Sequence, residues 1–201
     1  MKTYAKLEAG ALRRMERVPN ISNPTDEQVA AYAAAHGFKE LVETPAPGLF
    51  YNREYVDAGD TIRAVWHPFE LAVAKEQARD SIQARRDAAM FGIDGALGGV
   101  VIPCSALPNG VLFNAEAHNM VNSLMLLQAQ GALPDDAEWT DAADVAHAVT
   151  PTLIAALVAA MMGHIQAVQA RFKPARDAVN AAEDVDAVEA ALELAETLAA
   201  N

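Results

Sequence analysis

Apolar and polar residues alternate along the first third of the chain, and the period of the pattern changes near residue 69. Alternation with a period of two, bounded by glycine and aspartate, is typical of strands joined by tight turns. We therefore predict hairpins at residues 3–18 and 49–66, with a further strand at residues 38–42. Together these elements predict a small β-rich unit at residues 1–68.

One helix interrupts the predicted strands after residue 23. Either Asn23 caps this helix with Pro24 at its first position, or Thr25 and Gln28 form a capping box. Gly37 is placed to end the helix in a left-handed conformation.

Residues 69–91 have helical spacing but a narrow apolar stripe, with charged residues on the other positions. So slim a stripe contributes little to the core of a monomer. It is more typical of a connecting helix or of one strand of a helical oligomer. The glycine-rich stretch at residues 92–99 then predicts a flexible boundary.

The remainder of the chain is predicted to be mainly helical. A hairpin at residues 100–113 turns at Pro108-Asn109-Gly110, because Asn-Gly favours tight turns. Asn114 caps the next helix, and Thr150-Pro151 begins the longest one, which Pro174 is expected to kink or interrupt. A last helix spans about residues 184–198.

The expected fold class is therefore α+β. It comprises a β-rich N-terminal module at residues 1–68, a connecting helix at 69–92, and an α-rich C-terminal domain with a short hairpin at 93–201. The helices at 69–91 and 184–198 both have narrow apolar seams flanked by charges, which predicts self-association. The candidate interface residues are Leu71, Ala78, Ile82, Val188 and Leu192.

Composition and charge exclude several classes of protein. The formal net charge of -12 speaks against binding to nucleic acid, because an acidic surface repels phosphates. Cys104 is the one cysteine, so no intrachain disulfide or cysteine-based metal site is expected, and the chain fits assembly in a reducing cytoplasm. The N-terminus lacks the apolar core of a signal peptide. Residues 153–162 reach about half the length of a membrane span, with Gly163-His164 expected to end the run, so no membrane contact is predicted.

No catalytic, cofactor or metal site is predicted. The five histidines form no HExxH motif and no pair four residues apart, although His118 and His164 could approach each other on helices, with Cys104 nearby. Ser81, Ser105 and Ser123 lie outside any GxSxG motif. Glu116 and Asp141 are nominal glycosidase carboxylates, but such pairs arise easily by chance among 27 acidic residues, and Glu116 is explained by the helix dipole.

Five segments of the C-terminal part form a recognisable series: residues 110–117, 138–144 with Trp139, 149–151, the helix carrying His164, and 172–182. Together they resemble a domain of uncharacterised function that recurs near the C-terminus of phage tail and tail-fibre-associated proteins. Residues 1–8 and 60–66 resemble the short leading modules of phage tail and tail-fibre assembly proteins. The chain departs from the pattern at residues 106–108 and at Pro174.

The resemblance implies a non-enzymatic structural component of a phage tail, in a fibre, an adaptor or the baseplate periphery, that contacts other tail proteins. The alternative is a tail-fibre assembly chaperone that is not retained in the virion. By analogy with phage fibres, the expected homo-oligomer is a trimer. The expected location is the virion tail, after assembly in the host cytoplasm.

Overall fold

The computed structural model describes residues 2–16, 18, 22–92 and 98–200. The chain divides into two compact units, residues 1–71 and 72–201. Strands predominate in the first and helices in the second, which confirms the predicted α+β class.

The first unit holds one five-stranded sheet and one helix. Its elements are β1 (Tyr4–Glu8), β2 (Ala11–Arg14), α1 (Asp26–Ala35), β3 (Lys39–Val42), β4 (Tyr51–Asp57) and β5 (Thr61–Pro68). The strand order is β2-β1-β3-β5-β4, with β3 and β5 parallel and the other neighbours antiparallel. Ala5, Leu41 and Ile62 form a buried cluster in this unit. Both predicted hairpins are confirmed.

Helix α1 begins with a capping box, which decides between the two predicted starts. The Thr25 hydroxyl accepts a hydrogen bond from the Gln28 backbone, and the Gln28 side chain accepts one from the Thr25 backbone. Thr25 is therefore the cap, and the Asn23 alternative is wrong. Gly37 follows the helix with φ +71°, as its predicted role requires.

The second unit contains four of the five helices in the described part of the chain. Its elements are α2 (Leu71–Phe91), β6 (Val100–Cys104), β7 (Leu107–Phe113), α3 (Ala115–Ala129), β8 (Glu138–Thr140), β9 (Ala146–Ala148), α4 (Pro151–Ala181) and α5 (Val185–Ala200). The first residue of α2, Leu71, belongs to the first unit. Helix α4 packs against α3, α5 and β6. The predicted glycine-rich boundary lies largely outside the described residues, which omit 93–97.

The hairpin formed by β6 and β7 turns at Ser105-Ala106, so the predicted turn at Pro108-Asn109-Gly110 is wrong. Those three residues lie within β7, between the paired residues Leu107 and Val111. On β6 only Pro103 lies between the matching residues, so the three residues of β7 form a bulge. Gly110 has φ +75°, which suits a bulge as well as a turn. The local Asn-Gly signal is thus used for a bulge.

Helix α4 continues through Pro174, so the predicted interruption there is wrong, and the alternative, a kink at Pro174, stays a prediction. A proline inside a helix removes one backbone hydrogen bond. Phe172, Ala175 and Val179 are buried along one face on either side of Pro174, and this burial favours continuation of the helix.

Helix α4 is longer than the sequence predicted, so the expectation that its apolar run is too short to span a membrane is wrong. The helix does not end at Gly163-His164, and by length and composition it could cross a bilayer. Its most apolar stretch of 18 residues has a mean hydropathy of 1.6, and 28% of that stretch is buried. Core helices pass the same test. The buried face of α4, which includes Leu153, Leu157 and Val168, belongs to the core of the second unit. The absence of membrane contact stays a prediction.

Candidate interaction groove

A groove lies between helices α2 and α4 of the second unit. Residues 79, 82, 83 and 86 of α2 fall on one helix face, as do residues 166, 169, 170 and 173 of α4, because residues three and four apart are neighbours on a helix surface. Arg79 Nε and Nη2 donate to Asn180 Oδ1 at 3.1 and 2.9 Å, and Lys75 Nζ donates to the Asn180 carbonyl at 3.0 Å. These bonds join α2 to the C-terminal part of α4. We call this feature the α2–α4 groove.

The α2–α4 groove has a cavity volume of about 620 Å³, within the usual range for ligand sites. Its floor contains Ile82 and Phe172, both buried. Its rim is polar and mostly exposed. The lining residues are Arg79, Ile82, Gln83, Arg86, Gln166, Gln169, Ala170, Phe172, Lys173, Arg176 and Asn180.

Four of those lining residues are cations, although the chain as a whole carries a net charge of -12. Arg86 pairs with Asp87 at 2.9 Å, and both Lys173 and Arg176 pair with Asp177. The hydrogen bond from Lys173 holds the pKa of Asp177 below its ordinary value, so this carboxylate is charged at neutral pH. Asp87 and Asp177 do not line the groove, whose own side chains are positive or neutral.

Arg79 differs from the other three cations in its partner. Its guanidinium donates to the neutral amide oxygen of Asn180, and no carboxylate of the described residues lies at ion-pair distance from it. Its positive charge is therefore the least neutralised within the groove.

A second polar cluster centres on Asp141, which is only 3% exposed. One carboxylate oxygen accepts from Asn109 Nδ2 and His147 Nε2, each at 2.9 Å. The other accepts from the backbone amides of Ala143 and Val145. Burial by itself would raise the pKa of Asp141, but these four hydrogen bonds outweigh it and hold the pKa far below the ordinary value.

The two nominal glycosidase carboxylates do line one cavity, of about 290 Å³, which Trp139 also borders. Glu116 lies in the first turn of α3, behind the cap Asn114, where the dipole favours its charge. All of the hydrogen bonds of Asp141 favour its ionised form, which disqualifies it as a general acid at neutral pH. The cluster is best explained as a structural anchor for the β8–β9 turn.

His118 and His164, considered from the sequence as possible neighbours of each other, both lie beside Phe113. Both rings contact Phe113, at centroid distances of 6.0 and 5.6 Å. His164 Nε2 lies 3.1 Å from the carbonyl of Met90, in the last turn of α2, where a histidine N–H satisfies a free carbonyl. Among the described residues no group of histidine, cysteine and acidic side chains could hold a metal ion.

The predicted interface residues lie mainly inside the single chain. Ala78, Ile82, Val188 and Leu192 are all buried, and Leu71 is half-buried at the end of the first unit. The interface was predicted because the apolar stripes looked too narrow to be covered within one chain. For those four residues that reason is wrong, since the chain itself covers them. Self-association itself is untested and stays a prediction.

The sequence contained a signal for the α2–α4 groove that sequence reasoning missed. Arg79 and Arg86 are seven residues apart, and Lys173 and Arg176 are three apart, so each pair shares a helix face. The two pairs form a single cluster of cations only because α2 and α4 pack side by side.

The comparison with protein families identifies most of the second unit. The family described as Domain of unknown function (DUF4376) matches residues 73–194, which is more than half of the chain, so the chain belongs to this family. The match includes both helices of the α2–α4 groove. Neither a curated protein nor a solved structure matches the chain.

Proposed function

We propose that this member of the DUF4376 family is a non-enzymatic structural component of a bacteriophage tail that acts by contacting other tail proteins. The proposal places it in a fibre, an adaptor or the baseplate periphery of the virion. It assigns the chain no cofactor, and no nucleic acid or membrane as partner.

The observation that carries this proposal is the chemistry of the α2–α4 groove. The lining combines guanidinium and amide groups with a buried apolar floor, and the described residues that line it include no carboxylate, hydroxyl, thiol or imidazole. Such a lining can recognise a partner through charge and hydrogen bonds. It lacks the paired nucleophile and base, and the paired carboxylates, that hydrolysis requires.

Two further observations support a tail protein in particular. The domain match covers the region in which the sequence resembles tail and tail-fibre-associated proteins, and the first unit contains the two segments, residues 1–8 and 60–66, that resemble tail assembly modules. The resemblance supplies the phage assignment, and the matched family adds a domain whose function its description leaves open.

Quantitative mass spectrometry of purified phage particles tests the proposal. The expected result is recovery of this chain in a constant ratio to known tail proteins across gradient fractions. Absence from mature particles, together with recovery alongside unassembled fibres in the lysate, would contradict it in favour of the assembly chaperone.

A further inference from the structure

We infer that the α2–α4 groove binds an acidic peptide segment of a partner protein, with Arg79 and Arg176 receiving its carboxylates. This inference rests on the proposed function, because it names the chemistry of one contact through which the chain would act. Nothing in the family description assigns a ligand to these residues.

The charge of the groove selects an anionic ligand. Arg79, Arg86, Lys173 and Arg176 all line one cavity of about 620 Å³ in a chain with a net charge of -12. Guanidinium groups bind carboxylates through paired N–H donors in a fixed fork, so the three arginines favour a planar anion.

Arg79 and Arg176 are the best placed of these cations for an incoming carboxylate. Arg79 donates to a neutral amide oxygen, which a carboxylate would replace with a stronger, charge-assisted bond. Arg176 is 57% exposed, and its ion pair with Asp177 is long, at 3.8 Å. An exposed pair of this kind holds its partners weakly, so a carboxylate of the ligand can compete for the guanidinium.

The other lining groups fit a polypeptide. Gln83, Gln166 and Gln169 each offer an N–H donor and a carbonyl acceptor, as the backbone of a bound peptide does, and Asn180 adds its side-chain N–H donor. Ile82 and Phe172 add an apolar floor, on which aliphatic side chains can rest.

The same lining is poorly suited to a nucleic acid. Binding of single strands uses exposed aromatic rings on which bases stack, whereas Phe172 is 2% exposed and is the one aromatic residue among the described residues that line the groove. The net negative charge of the chain further opposes a long phosphate backbone.

Fluorescence anisotropy with the full chain tests the inference. The probe is a fluorescein-labelled peptide of alternating glutamate and leucine, and the matched peptide has glutamine in place of glutamate. We expect saturable binding of the glutamate peptide, weakened by added salt, and no saturable binding of the glutamine peptide. Saturable binding of both peptides alike, or of neither, would overturn the inference.

Variants locate the binding. Arg79→Gln and Arg176→Gln should each weaken binding of the glutamate peptide about tenfold, the loss expected for one charge-assisted hydrogen bond. Arg171→Gln is the control, because Arg171 lies on α4 with the same charge but does not line the groove. Thermal unfolding of each variant checks that the fold is retained. Arg79 contacts Asn180 whereas Arg176 is exposed, so the Arg176 variant stands as the test if the Arg79 variant unfolds.

Equal loss of binding in the Arg171 variant, or no loss in the groove variants, would overturn the inference. Binding of heparin or inorganic phosphate at the groove, without binding of the glutamate peptide, would also overturn it. Mass spectrometry of purified particles separates this failure from failure of the proposed function. A chain that is present in the tail but binds no acidic peptide loses only the ligand assignment, and a chain that binds the peptide but is absent from particles loses the tail assignment.

Discussion

The side chain of Asn109 donates a hydrogen bond of 2.9 Å to the carboxylate of Asp141, thirty-two residues further along the chain. Next to it, the backbone amide of Ala142 donates to the carbonyl of Gly110 at 3.2 Å. These two bonds fasten the bulge of β7 to the turn between β8 and β9. They explain why Asn109-Gly110 lies in a strand rather than in the turn of the hairpin.

The Asp141 cluster predicts a loss of stability in acid. Because the folded pKa of Asp141 is lower than its ordinary value of about 3.9, the carboxylate stabilises the fold above that pH, and the stabilisation is lost as pH falls toward the folded pKa. Asp141→Asn should therefore be less stable than the wild type at neutral pH and show a flatter decline in unfolding free energy below about pH 4.

Urea unfolding at a series of pH values measures this decline. Asp136→Asn is the matched control, because Asp136 is exposed in the same segment of the chain. Identical pH dependence of the wild type and Asp141→Asn would refute the role of the carboxylate.

Two glycine-to-alanine variants test the bulge. A Cβ at Gly110 would lie 2.6 Å from the carbonyl oxygen of Ile102, at a φ of +75° that alanine rarely adopts, so Gly110→Ala should cost about 1–3 kcal/mol. At Gly163, within α4, a Cβ meets nothing within 4 Å, and Gly163→Ala should stabilise the chain by about 0.5–1 kcal/mol. Denaturant unfolding that finds both substitutions neutral would be inconsistent with the structure.

A charge at Ile82 should unfold the second unit. Ile82 is 4% exposed, and an unpaired aspartate there would cost several kcal/mol. Ile82→Asp should therefore lose helical circular dichroism, whereas Gln77→Asp, exposed on the same helix, should retain it. If Ile82→Asp instead kept its helical signal and only changed its oligomeric state, Ile82 would be an interface residue, as the sequence pattern predicted.

Self-association as a trimer is tested separately by sedimentation equilibrium of the wild type. We expect a mass of three chains at about micromolar concentrations, by analogy with phage fibres. Because four of the five proposed contact residues are buried within one chain, the interface would use other residues. A monomer across the whole concentration range would disprove the prediction.

Elements defined by local signals could be predicted from the sequence. The capping box of Thr25 and Gln28, the hairpin turn at Gly59 and the start of α4 at Thr150-Pro151 all depend on residues a few positions apart. Features set by distant contacts could not be predicted. The bulge at Gly110 depends on Asp141, and the continuation of α4 through Pro174 depends on burial of the residues around it.

The α2–α4 groove could not be predicted from the sequence for the same reason. Arg79 and Arg176 lie on helices almost a hundred positions apart, and their proximity follows from tertiary packing. A narrow apolar stripe on a helix likewise does not show whether it is covered by another helix of the same chain or by a second copy of the chain. Ile82 and Leu192 were therefore predicted as contacts between chains, although both are buried within one.

Cross-linking mass spectrometry of purified phage particles tests the central claim most directly, because it reports both presence in the tail and the surface in contact. Lys173 lines the α2–α4 groove, and Lys75 bonds to Asn180 at its end, so a carbodiimide, which couples lysine amines to carboxylates, can report on an acidic segment that occupies it. The account predicts cross-links from Lys173 to another tail protein. Recovery of the chain from particles with Lys173 cross-linked to no other tail protein, or no recovery of the chain at all, would contradict it.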